Sequence, residues 1–198
     1  RDEALGGRMG NLSEEQQGFV KDLIAEVEAS DAITCYTRAQ PKDVDGYAGN
    51  YHVTIETPGG PVPVEAGVIF LATGAKEYTP HGFLHGEDPG VMTQTELEAK
   101  LSAGESADRV AMIQCVGSRT PEVPYCSRLC CNQALENAIA LREKGVEVTV
   151  YHRDIATYGK THMYRLAREA GVSFIRFADG DHEEPRYPEV RRNGAGLE

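Results

Sequence analysis

"RVAMIQCVGSRTPEVPYCSRLCCNQALENAIALREKGVEVTVYHRD", residues 109–154, decides the fold. Val110, Ala111, Met112 and Ile113 make a short continuous apolar run, the pattern of a strand covered on both faces. Ala134, Leu135, Ala138 and Leu141 then recur at helical spacing, and Gly145 supplies a stop. "VEVTVYHRD" (146–154) reads as a second strand, "THMYRLAREAG" (161–171) as a helix closed by Gly171, and "VSFIRF" (172–177) as a third strand. Parallel neighbours need a crossover, and alternating strands and helices provide it. The expected fold class is α/β, with a Rossmann-like βαβαβ unit over 108–177.

Upstream, the pattern differs. Residues 13–30 open with the capping-box pair Ser13 and Gln16, and Phe19, Leu23, Ile24 and Val27 follow at helical spacing. "AITCYTRAQPKDVDG" (32–46) is predicted to be a strand running out to a turn, with Cys35 in the core. "NYHVTIET" (50–57) alternates as a strand, "PGG" (58–60) turns, and "PVPVEAGVIFLATG" (61–74) returns, ending in a buried strand over Val68–Ala72. The expected organisation is 1–80 as a helix with an antiparallel β excursion, 81–107 as a linker, 108–177 as the parallel unit, and 178–198 as a polar, mobile tail. His81 and His85 fall in the linker, where their spacing gives no metal motif.

Composition narrows the function. A net charge of −11 over 198 residues leaves no basic face to displace counterions from nucleic acid. No apolar run reaches the eighteen or so residues of a membrane span. The start, "RDEALGGRMG", has no apolar core of a signal peptide and no initiator Met, so the chain is expected to be a piece of a longer protein. Its five cysteines are odd in number and clustered, unlike a secreted disulfide framework, and a cytoplasmic setting is expected. No nucleophile–base pair stands out, which sets hydrolysis aside.

Cys115, Cys126, Cys130 and Cys131 are spaced C-x10-C-x3-C-C. Four thiolates converging from one loop can hold an iron–sulfur cluster. Structural zinc also takes four thiolates but normally uses paired C-x2-4-C knuckles, and a redox disulfide would show C-x-x-C. Buried thiols packing as small hydrophobes form a further alternative. Position favours the cluster: Cys115 ends a strand, and Cys126, Cys130 and Cys131 lie where a helix begins, whose exposed amides favour an anion. Arg119 and Arg128 share the loop and would offset charge. This turn is also where a dinucleotide domain carries G-x-G-x-x-G; Gly117 alone does not replace it, so nicotinamide binding in the usual way is not expected. His152 and Arg153 leave a strand end, a place for ligand contacts or for structural roles, with Tyr158 and Lys160 nearby in sequence.

"LGGRM" (5–9) and "ATG" (72–74) are generic turn and strand-end signals singly, and more specific as a pair separated by a helix and a β excursion. Together with "GVIFLATGAKEYTP" (67–80), "QCVGSR" (114–119), "PYCSRLCC" (124–131), "YHRDIATYG" (151–159) and "AREAGVSFIRF" (167–177), they resemble the A subunit of heterodisulfide reductase. The flavoprotein subunits of the quinone-interacting membrane-bound oxidoreductase are similar. The resemblance implies a thioredoxin-reductase-like architecture of two dinucleotide-binding domains, with 1–80 a partial FAD-binding domain whose first βαβ unit precedes Arg1. It implies FAD contacts at Gly6, Gly7, Arg8, Ala72, Thr73 and Gly74, and a [4Fe–4S] cluster on Cys115, Cys126, Cys130 and Cys131. The implied function is electron transfer between FAD and the clusters of partner redox subunits, with the isolated piece inactive. A reading of another class is a scaffold or interaction domain whose cysteines hold zinc or stay free, and a third is a thiol-based redox sensor.

Overall fold

The computed structural model describes residues 14–74, 76–105, 107–177, 188–194 and 196–198, with the backbone alone for 14–16. The chain divides into two compact units, Arg1–Ala75 and Lys76–Glu198.

In the first unit, α1 (Glu14–Ala29) forms where helical spacing predicts it, although Phe19 and Leu23 of its apolar face are exposed. Ser13 of the expected capping box lies outside the described residues, as does the side chain of Gln16. Three antiparallel strands follow: β1 (Gln40–Tyr47), β2 (Asn50–Thr57) and β3 (Gly60–Ala66), in the order β1-β2-β3. Val53 sits in the centre, opposite Val44 and Val64. Pro61 and Pro63 can only belong to an edge strand, where the missing N–H breaks no ladder, and β3 is that edge. At the second turn Gly59 N–H donates to Thr57 Oγ1 (3.2 Å), whose hydroxyl donates to the Gly60 carbonyl (2.8 Å).

Two expectations about this unit are corrected. The strand predicted from residue 32 begins only at Gln40, and Cys35 is exposed rather than in a core. Residues 68–74 form no strand, and Phe70 and Leu71 are 90% and 87% exposed. The physical reason is pairing: an apolar run becomes a strand only beside a neighbour that takes its N–H and C=O groups, and no described strand of the unit pairs with either segment.

The second unit opens with α2 (Gln94–Ser102), inside the stretch read as linker. A full capping box starts it: Glu96 N–H donates to Thr93 Oγ1 (3.3 Å) and Thr93 N–H donates to Glu96 Oε2 (2.7 Å). Next come β4 (Arg109–Ile113), α3 (Cys130–Glu143), β5 (Glu147–His152), α4 (His162–Glu169) and β6 (Ser173–Arg176). The strands form a parallel sheet in the order β4-β5-β6, with Met112 opposite Val150 and Val150 opposite Phe174. A mixed α/β fold with a parallel sheet is therefore present as the residue pattern predicts. Gly145 (φ +83°) and Gly171 (φ +88°) stop α3 and α4 in the left-handed conformation.

Met112, Leu135, Ala138, Leu141, Val148, Val150 and Ala167 make the core, and Leu97 and Leu101 of α2 pack against it. Residues 178–187 lie outside the described residues, but part of the expected mobile tail has structure. β7 (Arg192–Asn193) pairs with β8 (Gly196–Leu197), and Arg192 Nε donates to Asp88 Oδ2 at 2.9 Å. That ion pair ties the hairpin to the turn before α2.

Candidate metal centre

The cysteine loop begins where β4 leaves the sheet. Gln114 N–H still donates to the Tyr151 carbonyl (2.9 Å), and Cys115 then turns left-handed at φ +66°. Gly117 (+70°), Arg119 (+58°) and Arg128 (+64°) are left-handed as well, a costly conformation for the two arginines. Local hydrogen bonds close the loop on itself, from Ser118 N–H to the Cys115 carbonyl (3.2 Å) and from Arg119 N–H to the Tyr125 carbonyl (3.3 Å). The Tyr78 ring lies against Gly117 so closely that a Cβ there would stand 2.3 Å from Cε1.

The loop re-enters regular structure at α3, and this start is chemically unusual. Its cap position, Leu129, offers no side-chain hydrogen bond, and no acidic residue occupies the first turn. Instead the cysteine sulfurs collect donors. The Arg128 N–H donates to Cys126 Sγ (3.3 Å), and the Ser127 hydroxyl donates to Cys130 Sγ (3.4 Å). Main-chain N–H groups of Cys115 and Cys131 also point to the Cys130 sulfur. Arg153 N–H serves Cys115, and Ala156 N–H serves Cys131. Each of the four sulfurs thus has a backbone donor beside it.

The thiols differ in acidity. The Cys131 thiol donates to Cys130, and this bond, with the Ser127 hydroxyl, holds Cys130 down to about 6. Cys131, as the donor and with burial added, is pushed up. Burial pushes Cys115 up as well. Cys115 and Cys131 are buried, whereas Cys126 and Cys130 are partly open to solvent. Among the described residues, no three His, Cys, Asp or Glu side chains are grouped as ligands to one metal ion.

The sequence reading placed the whole site in 115–131 and missed its second wall. Residues 153–156, just after β5, supply the donors to Cys115 and Cys131 and a carboxylate, Asp154, that takes Arg119 Nη1 at 2.9 Å. Two arginines hold the Asp154 carboxyl below its usual range, Arg119 foremost through its hydrogen bond. The available signal was adjacency: β4 and β5 are parallel neighbours, so the loops leaving their carboxyl ends lie side by side.

Other flagged residues take structural places. Arg128 lies over the Tyr158 ring at 5.5 Å, Asn132 Nδ2 donates to the Tyr158 carbonyl (3.1 Å), and Lys160 pairs with Glu136. His152 meets Phe174 edge-on at 6.0 Å, and burial lowers its pKa. With Arg153, Asp154, Thr161 and Arg176 it lines an open cavity of about 350 Å³. His85 approaches Glu96 at 3.4 Å. Ala72, Thr73 and Gly74 lie in an irregular exposed stretch of the first unit, and Gly6, Gly7 and Arg8 lie outside the described residues. None of the described helices is long and apolar enough to cross a membrane.

A parallel α/β unit with four cysteines between the end of its first strand and the first turn of the next helix defines a class: a thiol-rich α/β protein. The comparisons with known proteins are more particular. No family model matches the chain. It is 37% identical, in an alignment of 138 residues taking in 58% of the chain, to the A subunit of the H(2):CoB-CoM heterodisulfide, ferredoxin reductase of Methanothermobacter thermautotrophicus. It is likewise 37% identical over 139 residues to the A subunit of the ferredoxin:CoB-CoM heterodisulfide reductase of Methanosarcina mazei, again with 58% of the chain covered. The iron-sulfur A subunit of the CoB–CoM heterodisulfide reductase of Methanocaldococcus jannaschii is 36% identical over 138 residues, 58% of the chain. Over that matched part the chain is similar to the A subunit of heterodisulfide reductase, as the quoted motifs suggested. It spans about a fifth of the length of these relatives, the matched part being 21%, 17% and 21% of them.

Proposed function

We propose that the chain is the cluster-bearing electron-transfer segment of a flavoprotein oxidoreductase of the same kind as the A subunit of heterodisulfide reductase. Cys115, Cys126, Cys130 and Cys131 hold a [4Fe–4S] cluster, and Ala72, Thr73 and Gly74, with Gly6, Gly7 and Arg8, contact FAD in the longer protein. The observation that carries this reading is the donor set: four sulfurs, each with a backbone N–H beside it, at a helix start with no cap of its own. Thiolates that ligate iron–sulfur clusters are stabilised and tuned by such bonds. A single tetrahedral zinc would draw its sulfurs to about 3.8 Å from one another, by the geometry of ~2.3 Å bonds. A [4Fe–4S] cluster is larger and asks for a wider spread of its four thiolates.

The cluster supplies one-electron storage, and FAD exchanges electrons singly or in pairs. The chain's own residues do the rest. Cys115 and Cys131 anchor the buried side, and Cys126 and Cys130 face the half-open side where a redox partner can approach. The surrounding amides and Arg119 offset negative charge without moving. A cytoplasmic setting and partner redox subunits follow from the same reading.

The test is iron and acid-labile sulfide analysis after anaerobic reconstitution. About four irons per chain, with a sharp loss on changing any one of the four cysteines to serine but not Cys35, is the expected result. Stoichiometric zinc, or protein that stays free of metal, overturns the assignment and favours a scaffold.

A further inference from the structure

We propose that Asp154, which lies outside the cysteine loop, is a positioning residue of the cluster site, clamping that loop to the sheet edge through Arg119 and Arg176. The carboxylate takes Arg119 Nη1 on one oxygen (2.9 Å) and Arg176 Nη2 on the other (3.3 Å). Arg119 comes from the cysteine loop, and Arg176 from the end of β6. Two further bonds close the circuit. Arg176 Nε donates to the Arg153 carbonyl (2.8 Å), and Arg153 Nη1 donates to the Arg119 carbonyl (2.5 Å). Arg153 is only 6% exposed, with its guanidinium 5.9 Å from the Phe177 ring.

The circuit fixes the peptide units that serve the sulfurs. Arg153 N–H reaches Cys115, Ala156 N–H reaches Cys131, and the Cys131 thiol faces the Asp154 carbonyl at 3.9 Å. The clamp also has an electrostatic consequence. Arg119 and Arg176 place two positive charges on one carboxylate, so removing that charge leaves the neighbourhood more cationic. Isolated exposed ion pairs contribute little, but a carboxylate shared by two guanidiniums and braced by a buried third is a network.

The proposal rests on the cluster reading only for its redox half, and the experiment has two arms. In the first, the metal-free, reduced chain is alkylated with iodoacetamide, and rates at Cys115 and Cys131 are compared with Cys35, an exposed thiol of the first unit. Asp154→Asn is expected to raise the relative rates about fivefold, while Asp154→Glu restores most of the protection and Glu169→Gln, which breaks an unrelated surface pair, changes nothing. Unchanged rates in Asp154→Asn, in a chain whose circular dichroism matches wild type, overturn the clamp. In the second arm, the midpoint potential of the reconstituted cluster moves positive in Asp154→Asn, because an added electron meets less negative charge. A potential that stays put overturns the redox half. A wild-type chain that takes up no iron sinks the cluster reading alone, since the alkylation arm still decides the clamp.

Discussion

At Gly117 two demands meet in one residue. The backbone is left-handed at φ +70°, and the Tyr78 ring occupies the space a side chain would need. Gly117→Ala is expected to cost about 1–3 kcal/mol, from the left-handed penalty and the displaced ring together. Thermal unfolding checks the sum, and iron content after reconstitution should fall with it. Pairing Gly117→Ala with Tyr78→Ala separates the two contributions, because the double variant keeps only the conformational one. A cost that is the same in both backgrounds would mean that the ring moves aside freely. None of this was legible from Gly117 in the sequence, where a lone glycine reads as a turn. The cysteines were legible because their spacing and their place at a helix start are local facts. Asp154 and Ala156 were not, because their role depends on which strands become neighbours.

At the scale of elements, burial separates α3 from α1. Leu135 of α3 has no exposed surface and lies among Met112, Ala138 and Val150, so truncation leaves a cavity. Leu135→Ala should cost about 2–5 kcal/mol in urea unfolding. Leu23→Ala on α1, at a side chain 47% exposed, should stay within about 1 kcal/mol. Equal costs at the two positions would contradict this account of where the core sits. The contrast explains why the parallel unit was readable: Met112, Val148 and Val150 are buried in the sheet and apolar, although Ala111, in the run expected to be covered on both faces, is exposed. Two expectations failed for one reason. "AITC" and "VIFLA" have strand composition, yet a strand also needs a partner, which composition does not reveal. α2 was the opposite case. Its stretch was read as linker, and the Thr93–Glu96 capping box that starts it was not recognised in the sequence.

For the molecule as a whole, the two compact units differ in how they are held together. The second buries a core between its helices and its parallel sheet, whereas among the described residues the first relies on a three-stranded ladder whose strands are exposed or half-buried. The first unit is therefore expected to open more readily in hydrogen exchange. Its run Val68–Leu71 adds a practical consequence. Four consecutive apolar residues of high β-propensity, with no charge and no proline among them, have the composition of a segment that seeds amyloid-like stacking. Their exposure removes the usual protection. The chain should accordingly show concentration-dependent thioflavin binding after a lag, shortened by added seeds. Phe70→Lys should act as a gatekeeper and lengthen that lag several-fold without touching iron content. If the lag is unmoved by this charge, the self-association starts elsewhere. Preparing this protein in a soluble form would then be less a matter of protecting its thiols from oxygen than of keeping four residues from meeting their copies.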